Sequence, residues 1–155
     1  AGRTCRLGPQ RFFASDSGMI EGQTELRVRY AETDMMGIVY HAHYLAWFEV
    51  GRTELLRQHG IPYRELEDAG YRLPVIEVQA RYLRPALYDD VVTIVSRMKD
   101  HPSVRLRIDY EVFARDQKLV TGHTLHAFIN RQGEPVRPPA VFVAKMRELF
   151  GPKET

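Results

Sequence analysis

The stretch Ala42-His-Tyr-Leu-Ala-Trp-Phe-Glu-Val50 is apolar on nearly every side when wound as a helix. A helix of that kind must be covered all round, so it belongs inside a core. The helix is expected over residues 41–59, roughly 28 Å long. Gly60 suits its C-terminal cap and Pro62 stops its continuation. Its second half turns polar on one side through Arg52, Glu54, Arg57 and Gln58.

The rest of the patterned sequence has a different period. Val104, Leu106, Ile108, Tyr110 and Val112 alternate with Ser103, Arg105, Arg107, Asp109 and Glu111. Leu26, Val28 and Tyr30 alternate in the same way with Glu25, Arg27 and Arg29. That two-residue period predicts strands covered on one face, with the arginines on a solvated one. Further strands are expected around residues 75–83, 91–98 and 119–130. Asp100-His101-Pro102, Arg115-Asp116-Gln117 and Arg131-Gln132-Gly133 supply the turns. Such short connections predict an antiparallel sheet. The economical solution is an α+β domain: one antiparallel sheet, curled around the long helix, with short helices at 63–69 and 141–150.

Composition narrows the class. The chain has 155 residues, enough for one domain with a core of its own. No apolar run approaches the ~20 residues that a spanning helix needs, so membrane insertion is not expected. Net charge is +2, from 22 basic and 20 acidic residues, with no basic stripe for a nucleic acid. The single cysteine, Cys5, excludes an intrachain disulfide framework and suits a reducing compartment such as the cytoplasm. Residues 1–22 lack periodicity and read as an irregular tail, in which Met19 would serve as a start. The domain is expected over 23–150, with a short tail at 151–155. Deleting residues 1–18 is expected to leave melting temperature and turnover unchanged.

Chemistry concentrates between Tyr30 and Tyr44, where the chain leaves a strand, turns through Gly37 and enters the buried helix. Asp34 therefore lies near a helix N-terminus, where open N–H groups can polarise a carbonyl oxygen. From local pattern alone, Asp34 as a cap and Asp34 as a reacting carboxylate are equally good readings. Glu49 is read as half of an ion pair with Arg52, three residues on. His41 and His43, two apart on a helix, point to different sides, as do His123 and His126, three apart on a strand. No metal site is expected. The chain also lacks a G-x-S-x-G nucleophile elbow and a phosphate-cradling glycine loop.

Asp34-x-x-Gly37-Ile38-Val39-Tyr40, with Tyr44 and Glu49-x-x-Arg52 behind it, resembles the signature of the hotdog-fold acyl-CoA thioesterases. Arg81-Tyr82-x-x-Pro85-x-x-x-Asp89-Asp90 resembles a second segment of that family. The likeness runs from about Thr24 to Phe150. It is nearest to the 4-hydroxybenzoyl-CoA thioesterase group, especially the bacterial thioesterases associated with the Tol–Pal system. The resemblance implies a single hotdog domain that hydrolyses an acyl-CoA. Asp34 would act as nucleophile or general base, and the backbone N–H of His41 would hold the thioester carbonyl. The His41 side chain is a further candidate, and Gly37, Ile38, Val39, Tyr40 and Tyr44 would contact substrate. No cofactor is implied beyond the CoA of the substrate itself. Its phosphates would meet some of Arg84, Arg97, Lys99, Arg131 and Arg137. A homotetramer of two dimers is implied, with active sites at the dimer interface and residues 82–90 near the partner's Asp34 loop. The competing functions are an acyl-thioester hydratase or dehydratase of the same fold, and a non-catalytic acyl-CoA binder.

Overall fold

The computed structural model describes residues 18–61 and 63–151. The alternation read from the sequence is clearest in the strand Arg105–Ala114. There Leu106, Ile108, Tyr110, Val112 and Ala114 are buried, and the residues between them face outward. In chain order the elements are β1 (Ile20–Arg27), α1 (His43–Gln58), α2 (Tyr63–Asp68), β2 (Val75–Tyr82), β3 (Val91–Met98), β4 (Arg105–Ala114), β5 (Gln117–Ala127) and α3 (Ala140–Phe150). The five strands form one sheet in the order β1-β3-β4-β5-β2, with every neighbouring pair antiparallel.

One face of the sheet is charged. Arg97 bridges Glu21 at 2.8 Å and also pairs with Glu111, which holds Lys118 at 2.6 Å. The opposite face receives α1, whose inward residues are Tyr44, Trp47, Phe48, Gly51, Leu55 and Leu56. The Phe48 ring lies flat on Tyr110, 4.4 Å away and 6° from parallel. Helix and sheet meet so closely at Gly51 that a Cβ there would stand 2.5 Å from Ser96 Oγ. Beyond Gln58 the chain closes with two bonds, Gly60 N–H to Arg57 C=O and Ile61 N–H to Leu56 C=O, the pairing that ends many helices.

Several boundaries differ from the sequence reading, each for a physical reason. β1 begins at Ile20, well ahead of the alternating stretch at 25–30, because all eight of its residues pair with β3. The pairing partner makes this strand, since its own sequence is too polar to announce it. Val28 has already left the ladder to bond Asp90 C=O. The helix starts at His43, so His41 and Ala42 form a turn and are not its first residues. β5 ends at Ala127, and Ile129 pairs instead with Arg72 and Pro135. The expected irregular tail lies mostly in residues 1–17, outside the described residues. So do Cys5 and residues 152–155. No helix among the described residues is long and apolar enough to cross a membrane.

Two expectations about α1 are corrected. The helix is not covered all round, because the sheet shields one side only and leaves Leu45 and Val50 about two-fifths exposed. Neither is Glu49 paired with Arg52, for no ion pair joins them among the described residues. Arg52 instead lines a cavity with Leu106, Ile108 and His126.

Behind this cavity a buried chain of hydrogen bonds runs in one direction from Tyr110 to Leu73. The Leu73 carbonyl can only accept, so His126 Nδ1, 3.1 Å away, carries a proton. Neutral His126 then accepts at Nε2 from Thr124 Oγ1, 2.8 Å away. The Thr124 oxygen in turn accepts from the Tyr110 hydroxyl at 2.7 Å. Burial holds the His126 pKa below its ordinary 6.5. A histidine lowered in the folded state contributes stability above pH 6.5 that is lost as pH falls below it, at up to about 1.4 kcal/mol per pH unit. Urea unfolding at pH 7.5 and 5.5 should show this loss in the native protein, and His126→Gln should reduce the difference.

Candidate active site

The loop between β1 and α1 is organised by two carboxylates. Glu32 is 4% exposed, with one carboxylate oxygen taking the Arg29 N–H at 2.9 Å and the other the Trp47 indole N–H at 2.8 Å. Burial raises its pKa. The Arg29 backbone, the Trp47 indole and the Arg29 guanidinium together outweigh that and hold it below the ordinary carboxylate value. Glu32 thereby fastens the loop to the buried face of α1. Its backbone carbonyl also takes the Tyr40 N–H at 2.9 Å.

Asp34 heads a tight turn. Its backbone N–H donates to Ile38 C=O at 2.9 Å, and its C=O accepts the Gly37 N–H at 3.0 Å. Oδ1 accepts the Met36 N–H at 2.8 Å, which orients the carboxylate. Gly37 sits at φ +78°, a conformation that residues other than glycine rarely adopt. The second carboxylate oxygen of Asp34 accepts no hydrogen bond from any described residue.

Asp34 and His41 line one cleft of about 280 Å³ with Met36, Ile38, Val39, Tyr44, Tyr82, Leu83, Arg84 and Pro85. Its floor is Tyr44, whose hydroxyl accepts the Ala86 N–H at 3.1 Å. Burial pushes the Tyr44 phenol above its ordinary value, so it stays protonated. At the far wall the chain enters α1 with its peptide groups held in place. His43 N–H bonds Tyr40 C=O at 3.0 Å, and the Tyr82 hydroxyl donates to His41 C=O at 2.8 Å. The His41 N–H between them donates to no described acceptor. The cleft is thus lined by a residue with an unencumbered carboxylate oxygen and by one whose N–H meets no described acceptor.

Of the seven site residues named from the sequence, five line this cleft. Asp34, Ile38, Val39, His41 and Tyr44 line the cleft, whereas Gly37 shapes the turn and Tyr40 packs beside the His41 ring at 4.4 Å. No described hydrogen bond joins His41 to Asp34. Tyr82 to Pro85 stand against the Asp34 loop of their own chain. Glu32 and its partner Trp47 are missing from that reading, although a glutamate two residues before Asp34 and an indole fifteen residues on are both plain in the sequence. Among the arginines considered for phosphate contacts, Arg84 lines the cleft, while Arg97 is engaged by two glutamates and Arg131 by the Asp68 carbonyl. His123 lies beside Glu77 at 3.9 Å and His126 is buried in the core. Among the described residues no three His, Cys, Asp or Glu gather into a metal-holding group.

Known proteins resemble this chain in sequence and in fold. Residues 28–146 match the family described as the thioesterase-like superfamily. The chain is 39% identical over 89 residues to Bacillus subtilis YneP, a protein named provisionally as an acyl-CoA thioesterase. That match covers 57% of this chain and 64% of YneP, a little under two thirds of its length. It is 32% identical over 113 residues to an Aquifex aeolicus protein named provisionally as an esterase, covering 73% of this chain and 88% of that one. Among solved structures, the DHNA-CoA thioesterase of Staphylococcus aureus superimposes with a TM-score of 0.78 at 29% identity, over 84% of this chain and 88% of that chain.

Proposed function

The chain belongs to the thioesterase-like superfamily, and from that premise we propose that it hydrolyses an acyl-CoA to the free acid and CoA. One observation carries the reading: Asp34 and His41, whose N–H meets no described acceptor, line the same apolar cleft. The thioester carbonyl oxygen accepts from the His41 N–H. The free Asp34 oxygen either attacks the carbonyl carbon or removes a proton from the water that does. Attack puts the carbonyl electron pair on oxygen, where the N–H stabilises it. Collapse then breaks the carbon–sulfur bond and releases CoA thiolate. If Asp34 attacks, water hydrolyses the resulting anhydride and restores the carboxylate. The reaction so written needs no metal or cofactor beyond the CoA of the substrate, and the cytoplasm suits it.

The test is a panel of acyl-CoAs of graded length, with aromatic ones included, read by release of free thiol. Absence of thiol release from every member, with binding intact, would leave an acyl-CoA binder. A hydratase needs a histidine working with the carboxylate on the acyl carbons. Here the His41 ring lies against Tyr40 and bonds no carboxylate among the described residues. Hydration of crotonyl-CoA should therefore be undetectable.

Arg84 is the arginine we assign to the CoA phosphates. Arg84→Ala should raise KM about tenfold, or about 1.4 kcal/mol, with kcat nearly unchanged. A second copy of the chain should cover the apolar surface left open on α1 and along β2, where Val75, Ile76 and Val78 are exposed on an edge that no described strand pairs. We expect a dimer at the least and a tetramer of two dimers at micromolar concentration. A monomer mass by light scattering, with full activity, would refute this.

A further inference from the structure

We propose that Tyr82 is a positioning residue for thioester hydrolysis: its hydroxyl aims the carbonyl-binding N–H at the entry to α1. The inference rests on the reading of His41 given above. His41 and Ala42 lie outside the helix and are exposed; the Ala42 carbonyl accepts the Leu45 N–H at 3.2 Å, but no backbone bond to a described residue holds the N–H or C=O of His41. Upstream, this turn is secured by Tyr40 N–H on Glu32 C=O and by His43 N–H on Tyr40 C=O. Downstream, the described anchor of the His41–Ala42 peptide is Tyr82, whose hydroxyl donates to the His41 carbonyl at 2.8 Å. A trans peptide is planar. The His41 N–H therefore follows the Tyr40 carbonyl of its own peptide, which His43 holds, while Tyr82 fixes the next peptide plane and so restrains the rotation about the His41 Cα that would disturb this arrangement.

Tyr82 is well placed to exert this control. It comes from the last residue of β2, an edge strand that has no other described bond to the loop. Its ring stands edge-on to Tyr44 at 5.3 Å and to His41 at 6.3 Å, forming a wall of the cleft. Wall and tether can be separated by substitution. Tyr82→Phe keeps the ring and deletes only the bond to the peptide.

Losing an oxyanion donor outright costs about 10²–10³ in kcat, and loosening one should cost less, about tenfold. KM should hold, because the ring remains. Tyr82→Ala removes the wall as well and should raise KM in addition. Turnover alone does not distinguish a loosened donor from a general disturbance, so the carbonyl is read directly. The probes are benzoyl-CoA and hexanoyl-CoA, each ¹³C-labelled at the carbonyl. Whichever is hydrolysed faster is bound to Asp34→Asn and to Asp34→Asn with Tyr82→Phe, and examined by difference infrared spectroscopy. The bound carbonyl band should fall to lower wavenumber in Asp34→Asn and recover at least half of that shift when Tyr82→Phe is added. Equal bands in the two proteins would overturn the role of Tyr82, as would a kcat unchanged by Tyr82→Phe. A band in Asp34→Asn no different from free substrate would overturn the His41 donor itself, and this proposal with it.

Discussion

Asp34→Asn should lose at least about two orders of magnitude in kcat, the low end of what a positioned general base contributes, while a non-hydrolysable acyl-CoA analogue binds almost as before. The turn should survive the change. Asn keeps a carbonyl oxygen able to accept the Met36 N–H now bonded at 2.8 Å, and the backbone bonds to Ile38 and Gly37 need no side chain. What disappears is the negative charge on the oxygen that no described residue binds. An amide oxygen neither attacks a thioester nor takes a proton from water at neutral pH. The His41 N–H stays available, so ground-state binding has no reason to fail.

The comparison that decides the assignment is Glu49→Gln. That residue lies on the exposed side of α1, away from the Asp34 cleft, and has no ion pair among the described residues. Its substitution should change stability by less than about 0.5 kcal/mol and leave turnover near normal. Full activity in Asp34→Asn together with loss of activity in Glu49→Gln would move the catalytic carboxylate to the helix. The substrate-bound carbonyl would then have to be approached from the face that we assign to a second subunit.

What can be read from the sequence follows from where the determining forces act. β4 is legible because its own alternation decides which side is buried, and the antiparallel sheet follows from short turns. β1 is misplaced because Ile20-Glu-Gly-Gln-Thr-Glu-Leu-Arg27 is a strand by virtue of β3 beside it, a long-range cause. The Glu49–Arg52 pairing fails for a related reason. Helical spacing brings the two within reach, but Arg52 lines a cavity with Leu106 and Ile108 of a strand more than fifty residues away. Asp34 and Gly37 are visible because turn chemistry is local. The Tyr82 bond to His41 spans 41 residues and is not.

Glu32 is the most instructive residue that the sequence reading leaves without a role, and Glu32→Gln should damage stability more than Asp34→Asn or Glu49→Gln. Both oxygens of the native carboxylate accept, one from the Arg29 N–H and one from the Trp47 indole. An amide has one oxygen and one NH₂, so either orientation of the substituted side chain sets a donor against a donor in a buried place. Leaving such a group unsatisfied costs about 1–3 kcal/mol. At about 2–4 °C per kcal/mol for a chain of this size, the melting temperature should fall by roughly 2–12 °C. The loss should depend on pH. The Glu32 pKa is lowered on folding, so its contribution is complete above the ordinary carboxylate value of 4.5 and vanishes as pH falls through the lower folded value. The native protein and Glu32→Gln should therefore differ most near pH 7 and converge in acid. Turnover should suffer too, since the same residue anchors the loop that carries Asp34 and, through Tyr40, the approach to the His41 N–H. Urea unfolding of both proteins at pH 7 and at pH 3.5, with kcat measured at pH 7, tests all three parts. A stability difference unchanged between the two pH values would show that the carboxylate charge of Glu32 is not what holds the loop to α1.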